Sequence, residues 1–442
     1  MTSKSLVLVC CLLFGFQSFS QENKTLSLEE AVSIALNNSD DAKLAETTVK
    51  TASEELKVTK NNQYPEVSLS GQYQYLTSPD VNLKLAVGNS NPTEGEAKEV
   101  GTPDINQIMI GQASVSVPIF SGFKLKNAID ASLNNFEATS LEATSTKERI
   151  ALQTISTYLN LYKAQQIVAV VKENLKSAQQ RVKDFSAMEE NGLLARNDLL
   201  KAKLQEANIK LTLKEAQKNV SILNFKLATF LKMPDDFTFN LPVETIGMTP
   251  AIENITIKRA DLEALDYRQK ASENNIKMAQ SAYYPSIALL GGYAALDIQN
   301  ALTVTNAMNI GVGVSYDISK IFKAKNDVKL AQHKAEELEY TIAKAKDDVK
   351  IQVKNAEEEY QLALTQFEVY SQSQEQAEEN YRIVKDKYDN GLVDTNDLLE
   401  ADVDQLQSKI NKTNAQADIS LKYYQLLQAE GLLTNKFNFK NN

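Results

Sequence analysis

The chain of 442 residues has no tryptophan, one histidine and two cysteines. Both cysteines, Cys10 and Cys11, lie in the apolar run from Leu6 to Phe16. That run follows Lys4 and precedes Gln17 to Ser20, the pattern of a secretory signal cut near Ser20. It is too short to span a bilayer as a helix. The expected mature chain therefore holds no disulfide and offers no N-terminal thiol to a lipid anchor. His333 stands alone in "LAQHKAEE", among helix formers. With one histidine and no mature cysteine, the usual zinc sites and Cys/His nucleophile pairs are excluded. No Walker loop, GxSxG or GxGxxG occurs. No catalytic residue, cofactor or metal is expected, and the chain is not read as an enzyme. A net charge of −10 with scattered lysines argues against nucleic acid as a partner. No apolar run approaches the eighteen residues of a helical membrane span.

Glycine and proline are scarce in two long tracts. Phe123 to Met233 has no proline and only Gly192; Val314 to Glu430 has no proline and only Gly391. Each lone glycine lies in a doubled motif, "ENGLLARNDLLKA" at 190–202 and "DNGLVDTNDLLEA" at 389–401, identical at eight of thirteen places. Asn-Gly readily takes positive φ and ends a helix. Each tract is thus expected to fold as a helical hairpin with one long and one shorter arm. The second long arm carries a seam in steps of three and four: Val328, Ala331, Ala335, Leu338, Ile342, Ala345, Val349, Val353, Ala356, Tyr360, Ala363, Phe367 and Tyr370. That is near-heptad, coiled-coil spacing. An arm of about 70 residues would extend roughly 100 Å.

The segments before each hairpin have period two. Val67, Leu69, Gly71, Tyr73 and Tyr75 alternate with Glu66, Ser68, Ser70, Gln72 and Gln74. Ala113, Val115, Val117 and Ile119 alternate with polar residues, as do Ile310, Val312, Val314 and Tyr316 with Gly and Ser; Ile287, Leu289, Gly291, Tyr293 and Ala295 form the fourth stripe. Strands of about ten residues suit a tilted bilayer crossing, and Tyr75 and Tyr316 suit an interfacial girdle. The expected division is a signal at 1–20, a first repeat at 21–232, a connecting segment at 233–258, a second repeat at 259–433 and a tail at 434–442. The repeats hold leading helices at 28–63 and 259–284, strands near 65–76, 111–120, 285–296 and 309–318, and hairpins near 123–232 and 320–432. "VSVPIFSGFKLKN" at 115–127 matches "VSYDISKIFKAKN" at 314–326 with the offset of the turn motif. The first half has a long loop at 78–104 between its strands, and the second has only "DIQNALTVTNAMN" there.

Backbone groups in a bilayer must all be paired, so only closed barrels survive there, and the smallest have eight strands. Four strands therefore need other copies. Duplicated halves of this plan, Tyr-Pro before the first strand of each, and "YDNGLVDTNDLLEA" resemble the TolC family of outer-membrane efflux proteins. The resemblance implies a mixed fold: an all-α periplasmic barrel of helical hairpins continuous with a transmembrane β-barrel, built from four strands per protomer in a homotrimer. It implies an exit duct in the outer membrane of a Gram-negative bacterium, in contact with outer-membrane lipid, a periplasmic membrane-fusion (adaptor) protein and an inner-membrane efflux transporter. The turn residues Gly192, Leu193, Leu194, Gly391, Leu392 and Val393 become adaptor-contact tips. Asp397 and Glu400, extended by Asp404, become carboxylate rings of a periplasmic gate, with Tyr388 nearby. Asp397 also suits the first turn of a helix capped at Asp394 or Thr395. The family's arginine two places after the turn glycine is Val393 here. The competing reading of such arms is an exported trimeric coiled-coil adhesin or stalk.

Overall fold

The computed structural model describes residues 25–77, 105–242 and 257–437. The expected signal at 1–20, the loop at 78–104, and parts of the connecting segment and tail lie outside them. The described residues fall into two compact units.

The first unit comprises residues up to 48, 140–263 and 344 onward. Its core gathers around α1 (Leu28–Asn38), which is capped by Ser27 Oγ accepting from the Glu30 amide at 3.1 Å. Leu28, Ala31, Val32 and Ala35 of α1 are fully buried against Ile150, Ile155 and Tyr158 of α3 (Lys124–Glu190). Leu227 and Leu231 of α4 (Arg196–Leu231) complete that wall. The Tyr158 hydroxyl donates to the Leu26 carbonyl at 2.7 Å, so this buried phenol is satisfied. Asn224 brackets the segment after α4: its amide donates to the Phe237 carbonyl and its oxygen accepts from the Phe239 amide.

The expected leading helix at 28–63 is two helices, α1 and α2 (Asp40–Asn61). Ser39 between them is extended, at φ −64 and ψ 148, and its Oγ accepts from the Ala42 amide. A serine able to cap the second helix outcompeted the continuous helical pattern. The second leading helix, α5 (Ala260–Gln280), runs into a short 3-10 turn at Ser281–Tyr283.

The second unit holds residues 49–139 and 264–343 and contains one antiparallel sheet in the order β1-β2-β3-β4. The strands are β1 (Glu66–Tyr75), β2 (Gln107–Phe120), β3 (Ser286–Ile298) and β4 (Leu302–Ser315). Both β1 and β4 are edges. Register pairs Leu69 with Ala113, Ala113 with Tyr293, Val117 with Leu289, and Leu289 with Val312. Paired residues share a face, so the four apolar stripes read from the sequence merge into one. That face is bare: Leu69 is 86% exposed and Ile310 83%.

Two strands are longer than expected. β2 begins at Gln107 rather than 111, and β4 begins at Leu302 rather than 309. The segment read as the second half's loop is a tight turn through Asn300, at φ 58, followed by the outer half of β4. The alternating "LTVT" of 302–305 carried the signal. A register shift opposite Asn306, itself at φ 59, broke the period that would have revealed it.

The long arm of the second hairpin is α6 (Ile318–Asp389), and the short one is α7 (Thr395–Glu430). None of the thirteen seam positions on α6 is exposed, and Ile342, Val349, Val353, Tyr360 and Ala363 are fully buried. The chain ends its described part in a single turn, α8 (Leu433–Lys436).

Candidate functional site

The two hairpin turns are built alike. Gly192 has φ 73 and Gly391 has φ 72. The Leu193 amide donates to Met188 O at 2.8 Å, and the Leu392 amide to Lys387 O at 2.9 Å. These bonds close each helix end on carbonyls that would otherwise be unpaired. Turning that tightly leaves the next side chain outside: Leu193 is 74% exposed and Leu392 73%. Leu194 and Val393 are half-buried, and Leu194 packs inward.

Beneath the turns lies a small apolar cluster of Phe185, Leu199, Ala202 and Leu398, with Leu194 and Tyr388 against it. The Tyr388 ring stacks on Phe185 at 5.8 Å, and its hydroxyl lies 3.5 Å from Thr395 Oγ1. The helix α7 starts with a capping box: Asp394 Oδ1 accepts from the amides of Asn396 and Asp397, while Asp397 Oδ2 accepts from the Asp394 amide. The amides of Asp397 and Asn396 hold the Asp394 carboxyl below its usual range. The expected gate residues Asp397, Glu400 and Asp404 are all exposed. Asp397 gives one carboxylate oxygen to the cap, in which Glu400 and Asp404 take no part.

Sequence reasoning missed the charge pair just below. Arg181 binds Asp402 through two parallel contacts of 3.1 Å, and the side chains are 9% and 3% exposed. Arg181 also donates to the Tyr381 hydroxyl at 3.1 Å, and Gln205 Nε2 donates to Asp402 Oδ2 at 2.9 Å. Burial alone would lower the Arg181 pKa; the hydrogen bond and charge of Asp402 outweigh it and raise it. The signal was present in the spacing. Asp402 follows Leu398 by four, and Arg181 falls between Ala178 and Phe185, so each charge stands at a seam position.

Among the described residues no cluster of His, Cys, Asp or Glu could hold a metal ion, and no helix is long and apolar enough to cross a membrane. The profile described as outer membrane efflux protein matches residues 31–231 and 251–432. The chain belongs to that family. Over 306 residues this efflux-family chain is 24% identical to the cation efflux system protein CusC of Escherichia coli O157:H7, covering 66% of this chain and 61% of CusC. Over 208 residues it is 23% identical to the outer membrane efflux protein BepC of Brucella suis, covering 45% of each. These matches span about half to three fifths of the relatives' length. Among solved structures it resembles VceC of Vibrio cholerae, with TM-score 0.77 and 18% identity over 91% of this chain and 96% of that one. It also resembles the Campylobacter jejuni CmeC outer membrane channel, with TM-score 0.76 and 19% identity over 95% and 91%. Membership of the efflux family places the protein in the outer membrane.

Proposed function

We propose that the protein is the exit duct of a tripartite efflux or secretion system, passively conducting substrates through the outer membrane as a homotrimer. The observation that carries this is the sheet: four antiparallel strands with two open edges and one bare apolar face. Open edges do not survive in lipid, so β1 of one copy must pair with β4 of the next. Three copies give twelve strands around a lumen lined by Ser68, Ser114, Gln72 and their neighbours, with lipid against Leu69, Val312 and Ile310. The helical hairpins then form the periplasmic tunnel. The duct does no covalent chemistry and uses no cofactor.

The tips are where a periplasmic adaptor docks, through Leu193 and Leu392, which the glycine turns at Gly192 and Gly391 hold outward. Leu194 and Val393 support them from below. An inner-membrane transporter loads the far end. Glu400 and Asp404 form carboxylate rings at the tunnel mouth, with Asp397 and Tyr388 fixing the helix start that carries them. Val393 offers no charge where the resembled family has arginine, so closure of this mouth does not depend on an ionic latch at that place.

The test introduces Leu69→Cys and Ile310→Cys together and treats membranes with a bifunctional thiol reagent. A covalent species of three chains and discrete conductance in planar bilayers are expected. A purified, lipid-free monomer that gives neither would refute the reading.

A further inference from the structure

The offset of 199 that relates the turn motifs also relates Phe123-Lys124-Leu125-Lys126 to Phe322-Lys323-Ala324-Lys325, since 322 − 123 = 199. Nothing in the duct itself calls for this repeat. Both copies stand where a strand gives way to a long helix, β2 to α3 and β4 to α6. We infer that these two junctions form a docking belt for anionic phospholipid of the periplasmic leaflet, an inference that rests on the barrel reading above.

Three observations converge on that partner. The first is apolar continuity. The bare face of β4, Val312 and Val314, runs on through Tyr316 and Ile318 to Phe322, which is 80% exposed. On β2 the same course leads through Ile119, 62% exposed, to Phe123, 51% exposed. The membrane-facing surface therefore does not stop at the last strand residue. The second is charge. In a chain of net charge −10, each repeat holds two lysines and no acid. Lys124, Lys126, Lys323 and Lys325 are exposed, and among the described residues none has an ion-pair partner. Only Lys320 nearby is engaged, at 3.6 Å from Asp317. At the start of α3 no acid stands in the first turn, so the lysines add to the field of the helix end, whereas at α6 Asp317 accepts from the Lys320 amide and offsets part of it. The third is shape. A cleft of about 500 Å³ lies beside the first repeat, lined by Pro118, Ile119, Phe120, Phe123 and Lys126, with Asp130 as its one acid. Its aromatic wall is fixed by edge-on contacts of Phe123 with Phe120 at 5.1 Å and with Tyr284 at 5.5 Å. The packing holds Phe123 at φ 66, a conformation that costs a bulky residue energy.

A free phosphate would use the lysines and ignore the phenylalanines. A neutral lipid would use the phenylalanines and ignore the lysines. An anionic phospholipid uses both, with its headgroup at the ammonium groups and its upper acyl chain along the rings.

The test purifies the full-length protein from vesicles of 70% phosphatidylcholine and 30% phosphatidylglycerol and measures the ratio of co-purifying lipids. Each lysine near an anionic surface biases occupancy by about fivefold. Wild type should retain phosphatidylglycerol tenfold or more above the bulk ratio, and 0.5 M salt should erode that excess. The variant K124Q/K126Q/K323Q/K325Q should fall to the bulk ratio, while the corresponding four arginines should keep the excess. Glycerol phosphate added in solution should not compete. An unbiased wild type that conducts in planar bilayers, an excess that survives in the glutamine variant, or displacement by glycerol phosphate would each overturn the belt. A wild type that fails to conduct would overturn the barrel reading and the belt with it.

Discussion

Asp402→Ala should loosen the hairpin tips far more than any substitution of the exposed acids beside it. Asp402 accepts both guanidinium contacts of Arg181 and the Gln205 amide, at a site where its side chain is 3% exposed. Removing it leaves a buried cation with only the Tyr381 hydroxyl, and leaves the Gln205 amide only a long contact of 3.5 Å to the Leu399 carbonyl. Breaking a buried pair on one side costs about 3–5 kcal/mol, because the remaining charge is uncompensated. At 1.36 kcal/mol per tenfold, that is an increase of roughly two to four orders of magnitude in the opening equilibrium. Removing both charges is a different matter: Arg181→Met with Asp402→Leu should return the tip to within ~1–2 kcal/mol of wild type. Native-state hydrogen exchange at amides of 178–185 and 398–405 reads both quantities locally. Exchange in Asp402→Ala that rises less than threefold would refute the reasoning. So would a double variant as labile as the single one, since the cycle then shows no coupling.

The remaining expectations are narrower. Gly391→Ala and Gly431→Ala both force alanine to positive φ, at 72 and 76. Nothing lies within 4 Å of a Cβ at Gly391, while one at Gly431 would collide with the Lys258 carbonyl, so the first should cost about 1–2 kcal/mol in thermal unfolding and the second clearly more. Burial raises the pKa of Glu148, against two hydrogen bonds donated by Thr434 and the charge of Arg259. Below about 4.5, its value before folding, it is protonated in both states; as pH rises through its folded pKa the chain must hold a buried anion, so stability falls. Glu148→Gln, which keeps an acceptor for Thr434, should flatten that fall in melting temperature between pH 4 and 8, and parallel curves would contradict this. Glu400→Gln with Asp404→Asn should weaken cation selectivity in single-channel recordings without changing the exchange of the Arg181 region; unchanged selectivity would remove these residues from the gate.

How much of this could be read from the chain alone depends on the length of the pattern. The α6 seam was legible because thirteen positions reinforce one another, and no local choice along it disagrees. The common face of the sheet was legible for the same reason, four stripes of the same period. What escaped was decided by single residues. Ser39 breaks a helix because its hydroxyl can cap the next one. The outer half of β4 hid behind a register shift and an asparagine at positive φ. Arg181 and Asp402 were passed over because charges on a helix are ordinarily solvated, and only their coincidence with seam spacing marks them as buried. The exposed Asp404, two places on, attracted the attention that its neighbour's burial warranted.

The duplication sharpens this contrast, because it repeats each problem with a different answer. Lys232 and Gly431 end the two short arms, and 431 − 232 is again 199. Both sit in the left-handed region and both close the same pair of bonds: Met233 and Leu432 donate to Ala228 and Leu427, and the cap amides to Thr229 and Gln428. The backbone demand is therefore identical, and only the surroundings differ. At Gly431 the Lys258 backbone presses against the place a side chain would fill, and its amide donates to Glu430. At position 232 a side chain has room, and the lysine reaches Asp40 at 2.5 Å. A pair so exposed contributes little to stability. Neither residue type is dictated by the turn. Glycine stands where another segment packs on the helix end and lysine where solvent does, so places where two halves of one chain disagree at equivalent positions mark where their neighbours differ.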